Sequence, residues 1–284
     1  MNNTDIKWAH VELSSKCNAW CPACERNKNG FGLADGLVEQ DLAVERLEEI
    51  LASLPNLYAV QLCGNYGDPL ISANIDQSIA VIKKYAKKIQ IHTNGSLRNV
   101  AWWVELAGKL KDVDHDVWFG IDGLAGVHEI YRQGTDFDKI IENATAFIQA
   151  GGYATWQFVP YQHNEHQLKD CLRLSQKLKF KKFKLAKLYR NKRNAKHYRT
   201  GAEFELLPPK EFQSIIRMPK YNQTVNESDC MHLTQPSIYI SASGKIASCC
   251  YHGAIGNQQF DSVEELLYNK LNLTVPICLT NCGS

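Results

Sequence analysis

The chain has 284 residues, of which 44% are hydrophobic, and a formal net charge of +2. That composition excludes wholesale disorder and allows one large domain, or one domain with a small appendage. Ten cysteines without an apolar N-terminal segment exclude a small secreted disulfide scaffold, and the lack of any run of about 18 apolar residues excludes a helical membrane span. The expected setting is a reducing cytoplasm in which thiolates serve metal.

Residues 8–13 read as a first strand. Ala43, Leu47, Ile50, Leu51 and Leu54 share one helical face of the segment 39–54, which Pro55 stops. Strand signals follow at 57–63, 88–92, 116–121, 153–159 and 182–185. They alternate with helix signals at 75–85, 97–110, 136–150 and 165–178, and Gly151-Gly152 closes the third of these. Repeated strand–helix units with short connections imply parallel strands and right-handed crossovers. Six such units can curl into a partial barrel whose chemistry sits at the C-terminal strand ends. Beyond residue 186 the pattern changes. Residues 187–207 are polar, basic and aperiodic. A short helix is expected over 210–217, a hairpin over 237–248 and a last helix over 261–268.

Cys17, Cys21 and Cys24 fall in the spacing C-x3-C-x2-C directly after the first predicted strand. Thiolates hold zinc or iron–sulfur clusters, and a complete four-iron cluster usually takes four of them. A local set of three would leave one iron open to a small molecule. The next strand ends in Gly64-Asn65-Tyr66-Gly67-Asp68-Pro69, which is either an ordinary turn or a loop whose backbone and Asp68 approach a ligand. The third ends in Thr93-Asn94-Gly95. The fourth ends in Gly120-Ile121-Asp122-Gly123, with Tyr131-Arg132 further on. Asn164, at the mouth of the fifth strand, could face a substrate or cap the following helix.

These residues together resemble the radical S-adenosylmethionine (SAM) enzymes. The resemblance rests on the cysteine spacing, on Asn18 after the first cysteine and on the ordered strand ends. It departs from the family at Ala23, where an aromatic residue is usual, at Tyr66 and Asp68 in the Gly-Gly-Glu-Pro segment, and at Gly120 in place of a serine. The resemblance implies an α/β fold with a partial (β/α)6 TIM-like barrel. It also implies a [4Fe-4S] cluster on Cys17, Cys21 and Cys24 whose open iron chelates SAM, with reductive cleavage to a 5′-deoxyadenosyl radical that takes hydrogen from an unactivated C–H. Backbone at Ala23 would meet adenine. Gly67, Asp68, Asn94 and Arg132 would help seat SAM, and Asp122 would meet ribose hydroxyls or cap the next helix. A flavodoxin- or ferredoxin-type donor would supply the electron.

Towards the end of the chain, Cys230 is followed by thirteen residues, Gly244, four more residues and Cys249; Cys278 and Cys282 come last. This resembles the SPASM and twitch extensions of that family and implies a small twitch-like iron–sulfur extension over 208–284, behind a barrel with a basic connecting segment over 1–207. One auxiliary [4Fe-4S] cluster would sit on Cys230, Cys249, Cys278 and Cys282; a four-cysteine zinc site would read the same way. Cys63 and the spare Cys250 are either small buried hydrophobes or thiols that return a hydrogen atom to a substrate radical.

From Lys177 to Arg199 there are eleven Lys or Arg and no Asp or Glu, with Phe180, Phe183, Tyr189 and Tyr198 interleaved. Such a block attracts anions or merely solvates an edge. The sequence therefore favours an anionic small-molecule or nucleotide substrate that is oxidised, epimerised or rearranged. Nucleic acid could bind through the basic block. A ribosomally made peptide is the alternative substrate, and a zinc-stabilised nucleic-acid-binding protein without catalysis is the alternative of another class.

Overall fold

Alternating inward positions set the first strand, β1 (Trp8–Val11), in which Ala9 and Val11 are buried. The computed structural model describes residues 2–186, 193–211, 236–254 and 258–269. The chain forms two units: Met1–Lys16, Val38–Gln90 and Met218–Ser284 in one, Cys17–Leu37 and Ile91–Arg217 in the other.

In the first unit β1 pairs in parallel with β2 (Ala59–Leu62) on one side and with β9 (Ser237–Ile240) on the other; β10 (Ile246–Ala247) closes the edge antiparallel to β9. Helices α1 (Val44–Ala52) and α2 (Ile75–Tyr85) turn Leu47, Ile50, Leu51, Ile79 and Ile82 into its core. Helix α1 starts five residues later than the 39–54 periodicity predicts. Residues 38–42 are spent on the chain after β1: Ser15 N donates to the Gln40 carbonyl (3.0 Å) and Leu42 N to the Leu13 carbonyl (2.9 Å), so they are unavailable to a helix. The predicted hairpin is present as β9 and β10, and the last helix, α7, covers Val263–Tyr268.

Strand β3 (Lys88–Thr93) follows β2 in the strand order and crosses the boundary of the units at Gln90. In the second unit, β4 (Asp114–Gly120), β5 (Ala154–Phe158) and β6 (Lys182–Leu185) lie side by side, all parallel. Helices α3 (Val100–Leu110) and α5 (Phe137–Gln149) cover one face; the Trp103 ring lies 5.0 Å from Phe119 and 5.9 Å from Phe147. A one-turn helix, α4 (His128–Tyr131), precedes α5, and α6 (Leu168–Lys177) follows β5. Helix α3 begins at residue 100 rather than 97, because Arg98 is left-handed (φ 66°) and the Asn99 side chain caps the Trp102 N–H. Residues 187–207, read as aperiodic, contain an antiparallel ribbon, β7 (Arg193–Lys196) and β8 (Glu203–Leu206). Its sequence, Arg-Asn-Ala-Lys against Glu-Phe-Glu-Leu, carries too little apolar alternation to announce a strand pair. Most of the predicted helix at 210–217 lies outside the described residues, as do Cys230, Cys278 and Cys282. The architecture is the expected α/β partial TIM-like barrel. Among the described residues no helix is long and apolar enough to cross a membrane.

Candidate active site

The cysteine loop belongs to the second unit, and that unit also supplies its surroundings. Cys21 is buried with Ala19, Ala23, Tyr131, Tyr161, Ala195 and Leu206; Cys17 and Cys24 pack against this cluster half-buried. A turn joins the last two cysteines, Cys24 N donating to the Cys21 carbonyl (2.9 Å), and Asn27 Nδ2 donates to the same carbonyl (3.1 Å). Residue Gln133 ties the loop to the β7–β8 ribbon. Its carbonyl accepts from Trp20 N (2.8 Å), while its side chain accepts from Tyr198 N (2.7 Å) and donates to the Lys196 carbonyl (3.3 Å).

Two donors face the sulfurs. Asn94 Nδ2 lies 3.8 Å from Cys17 Sγ, and Arg132 Nη1 lies 3.9 Å from Cys21 Sγ. Asn94 is itself held in a triangle: its Nδ2 donates to Asn18 Oδ1 (2.8 Å), Asn18 donates to Ser96 Oγ (2.8 Å), and Ser96 Oγ donates to Asn94 Oδ1 (2.6 Å). Arg132 is held by Asp122, Nε to Oδ2 at 2.6 Å. Asp122 is fully buried and also accepts the Val159 N–H at 2.6 Å. Its carboxylate thus positions the arginine, and it neither reaches outward nor caps the next helix. Gly120 brings no hydroxyl here; a Cβ at this position would stand 2.7 Å from Arg132 Nη2, so a serine would require the guanidinium to shift. Asn164 stands at the N-cap position of the following turn, but its side chain makes no capping bond. It is buried, and its Nδ2 pins the Asp122 and Val159 carbonyls at 2.9 and 3.0 Å.

Burial pushes the Cys21 thiol up to about 11, against the pull of Arg132. Deprotonated sulfur is therefore favoured only when a metal or a further positive charge joins it. Three unbridged thiols on one loop, with an amide and a guanidinium aimed at two of the sulfurs, are the donor set that suits a thiolate-held cluster. Among the described residues no three Cys, His, Asp or Glu side chains converge on a single ion. A four-iron cluster does not require that, because each thiolate takes its own iron.

His128 is buried beside this site. Its Nδ1 accepts the Asp122 N–H (3.0 Å) and Nε2 meets Thr135 Oγ1 (3.0 Å), an arrangement that fits only the neutral ring. Burial, helped by the charge of Arg132, pushes it down to about 3. The folded value lies below the unfolded one, so the stabilisation is complete above pH ~6.5 and is lost as pH falls towards the folded value. Between pH 6.5 and 4.5 the stability of His128→Gln, measured by urea unfolding, is expected to fall less steeply than the parent's, by about 1.4 kcal/mol per pH unit.

In the first unit, Glu12 at the end of β1 organises the Gly64–Asp68 loop. Its Oε1 accepts the N–H groups of Tyr66 (2.7 Å) and Gly67 (3.1 Å), and its Oε2 accepts the Tyr239 hydroxyl (2.8 Å). Sequence reasoning passed over this residue, although a carboxylate in an otherwise apolar strand was the signal. Asp68 is buried; its Oδ1 accepts the Leu70 N–H (3.0 Å) at the start of a 3-10 turn, Pro69–Ile71. Asn65 Nδ2 donates to the Cys250 carbonyl (2.7 Å). Burial pushes the Cys250 thiol up to about 12, and the neighbouring Cys249 and Cys63 add to this. Cys63, Cys249 and Cys250 are all unbridged.

The fold is that of the radical SAM enzymes. No protein-family profile matches the chain. Among solved structures, SuiB of Streptococcus suis bound to S-adenosylmethionine aligns over 99% of this chain and 73% of its own, with a TM-score of 0.69 and 14% identity. SuiB bound to its precursor peptide SuiA covers 97% of this chain and 66% of its own, with a TM-score of 0.67 and 15% identity. Native anSMEcpe with bound AdoMet and Kp18Cys peptide covers 96% and 82%, with a TM-score of 0.58 and 14% identity. At these identities the likeness carries the fold. In sequence, the chain is 24% identical over 142 residues to the 7,8-dihydro-6-hydroxymethylpterin dimethyltransferase of Methanocaldococcus jannaschii; the match covers 48% of this chain and 27% of that protein's length.

Proposed function

We propose that the chain is a radical SAM enzyme that abstracts hydrogen from an unactivated C–H of a peptide, leading to oxidation, epimerisation or rearrangement. The observation that carries the proposal is the cysteine loop itself, with Asn94 directed at Cys17 and Arg132 at Cys21. The sequence alone ranks an anionic small molecule or nucleotide above a peptide. The peptide reading is supported better, because proteins of the same fold are seen with peptides bound, SuiA on SuiB and Kp18Cys on anSMEcpe.

Cys17, Cys21 and Cys24 would hold a [4Fe-4S] cluster, which with SAM supplies the hydrogen-abstracting chemistry. Arg132, fixed by Asp122, offers a planar fork to a carboxylate next to Cys21. Asn94 steadies Cys17. The buried packing around Cys21 keeps water from that sulfur. By resemblance, Gly67 and Asp68 would seat an ammonium and backbone at Ala23 an adenine. Cys230, Cys249, Cys278 and Cys282 would hold one auxiliary cluster, with Cys63 or Cys250 as the thiol that returns a hydrogen atom. A flavodoxin- or ferredoxin-type protein would deliver electrons.

Anaerobic reconstitution tests this. The triple variant Cys17→Ala, Cys21→Ala, Cys24→Ala is expected to bind about four irons fewer per chain and to release no 5′-deoxyadenosine from SAM under reduction. Release at the parent rate would rule out the assignment of this loop. Replacing Cys230 and Cys282 is expected to remove the other iron set and leave the first in place.

A further inference from the structure

On β4, Phe119 packs with Trp103 and Phe147 beneath the helices, so Trp118 and Gly120 face the opposite, inner side. The strand register carries that side across the sheet: Trp118 is level with Thr155 and Lys182, and Gly120 is level with Gln157 and Lys184. The two rows differ in one respect. Lys182 is neutralised by Asp116 (3.4 Å), which also accepts from Thr155 Oγ1 (2.7 Å). Among the described residues Lys184 makes no ion pair, the Gln157 side chain makes no hydrogen bond, and the buried Trp118 Nε1 donates to nothing. Three donors, one of them a full positive charge, thus stand unused on one face. Gly120 leaves the same face bare for the Arg132 guanidinium. Adjacent strands lie ~4.8 Å apart, so Lys184, two strands over, stands roughly 10 Å from that point.

We infer that Lys184, Gln157 and Trp118 form a recognition site for a carboxylate of the substrate peptide. The inference rests on the reading of the chain as a peptide-acting enzyme. A carboxylate has two oxygens and no donor, so it matches an ammonium, an amide N–H and an indole N–H together. Lysine on an edge strand also discourages strand pairing. That role would be served as well by a lysine already paired, and it leaves the orphaned Trp118 indole donor on the same face unexplained. The carboxylate belongs either to an acidic side chain or to the end of the peptide chain.

The test uses the full chain, reconstituted anaerobically with SAM. The probes are N-acetylated hexapeptide pools, randomised except for a central Glu or Gln, each made as free acid and as C-terminal amide. Retained peptides are counted by mass spectrometry. The amidated Glu pool is expected to be enriched over the amidated Gln pool by about tenfold. Enrichment that follows the free C-terminus instead supports the same site and identifies the chain end as the source. Lys184→Met is expected to erase the preference and Lys184→Arg to keep it, with thermal melts checking that both fold. Equal retention of all pools, an undiminished preference in Lys184→Met, or stronger retention of an oligothymidine in place of every peptide overturns the inference. Iron content and 5′-deoxyadenosine release from the same preparations separate the two failures. Their loss sinks the enzyme reading, whereas their presence without a carboxylate preference sinks this inference alone.

Discussion

Gly67→Ala is expected to yield little or no folded protein. A Cβ on Gly67 would lie 1.7 Å from the Ser14 carbonyl oxygen and 2.8 Å from that of Lys16, both backbone atoms at the end of the β1 segment. No side chain can rotate away to make room, so the loop itself must move. Movement pulls the Tyr66 and Gly67 N–H groups off Glu12, leaving a carboxylate that is 2% exposed with fewer donors. A steric shift plus an under-satisfied buried charge puts the cost at or above about 4 kcal/mol. Thermal melting and soluble yield measure it. The control is Gly108→Ala in α3, where a Cβ meets nothing within 4 Å. That variant is expected to gain up to about 1 kcal/mol from helix propensity. A Gly67→Ala protein melting within a few degrees of the parent would show that the loop is not clamped between these carbonyls.

The second large effect is expected at Arg132. Replacement by Met removes the counter-charge of a fully buried carboxylate, Asp122, and breaking such a pair from one side typically costs ~3–5 kcal/mol. Burial is the largest influence on the Asp122 carboxyl and already pushes it up, and with the guanidinium gone nothing charged opposes it. A folded value above the unfolded one stabilises below the unfolded value and loses that contribution as pH rises. The deficit of Arg132→Met should therefore shrink towards acid, where Asp122 carries a proton. The double variant Asp122→Asn, Arg132→Met is expected to recover part of the loss, which a urea-unfolding cycle would measure. Arg132→Lys keeps a charge beside Asp122, but its three N–H donors leave a single nitrogen and cannot span from Asp122 to Cys21 as Nε and Nη1 of the guanidinium do. It should keep most of the stability yet weaken SAM retention. Equal stability of Arg132→Met and the parent at neutral pH would mean that Asp122 is not relying on this partner.

The site was legible where its chemistry is local. The C-x3-C-x2-C spacing, the Asn18 that follows and the Thr-Asn-Gly turn are carried by neighbours in sequence, and they stand together around Cys17 in the second unit. The identity of partners was less legible. Asp122 reads equally well as a cap or as a ligand-facing acid, and only its 2.6 Å bond to Arg132 shows that it serves the arginine. Glu12 and Gln133 carried no motif at all, yet each gathers three hydrogen bonds that help to hold a loop of the candidate site. The ribbon of β7 and β8 was missed because a two-stranded, largely polar pair needs no hydrophobic period.

Taken by itself, the sequence determined the order of strand–helix units, the three-thiol loop and its place after the first strand. Those follow from side-chain periodicity and ligand chemistry, both of which act over a few neighbouring residues. Tertiary structure alone decided which donor meets which sulfur, that the Arg132 guanidinium lies against Gly120, and that Gln157 and Lys184 fall level with that glycine on one face. Those facts depend on strand register and on buried charges finding partners far away in the chain, and both are settled only when the whole sheet is assembled.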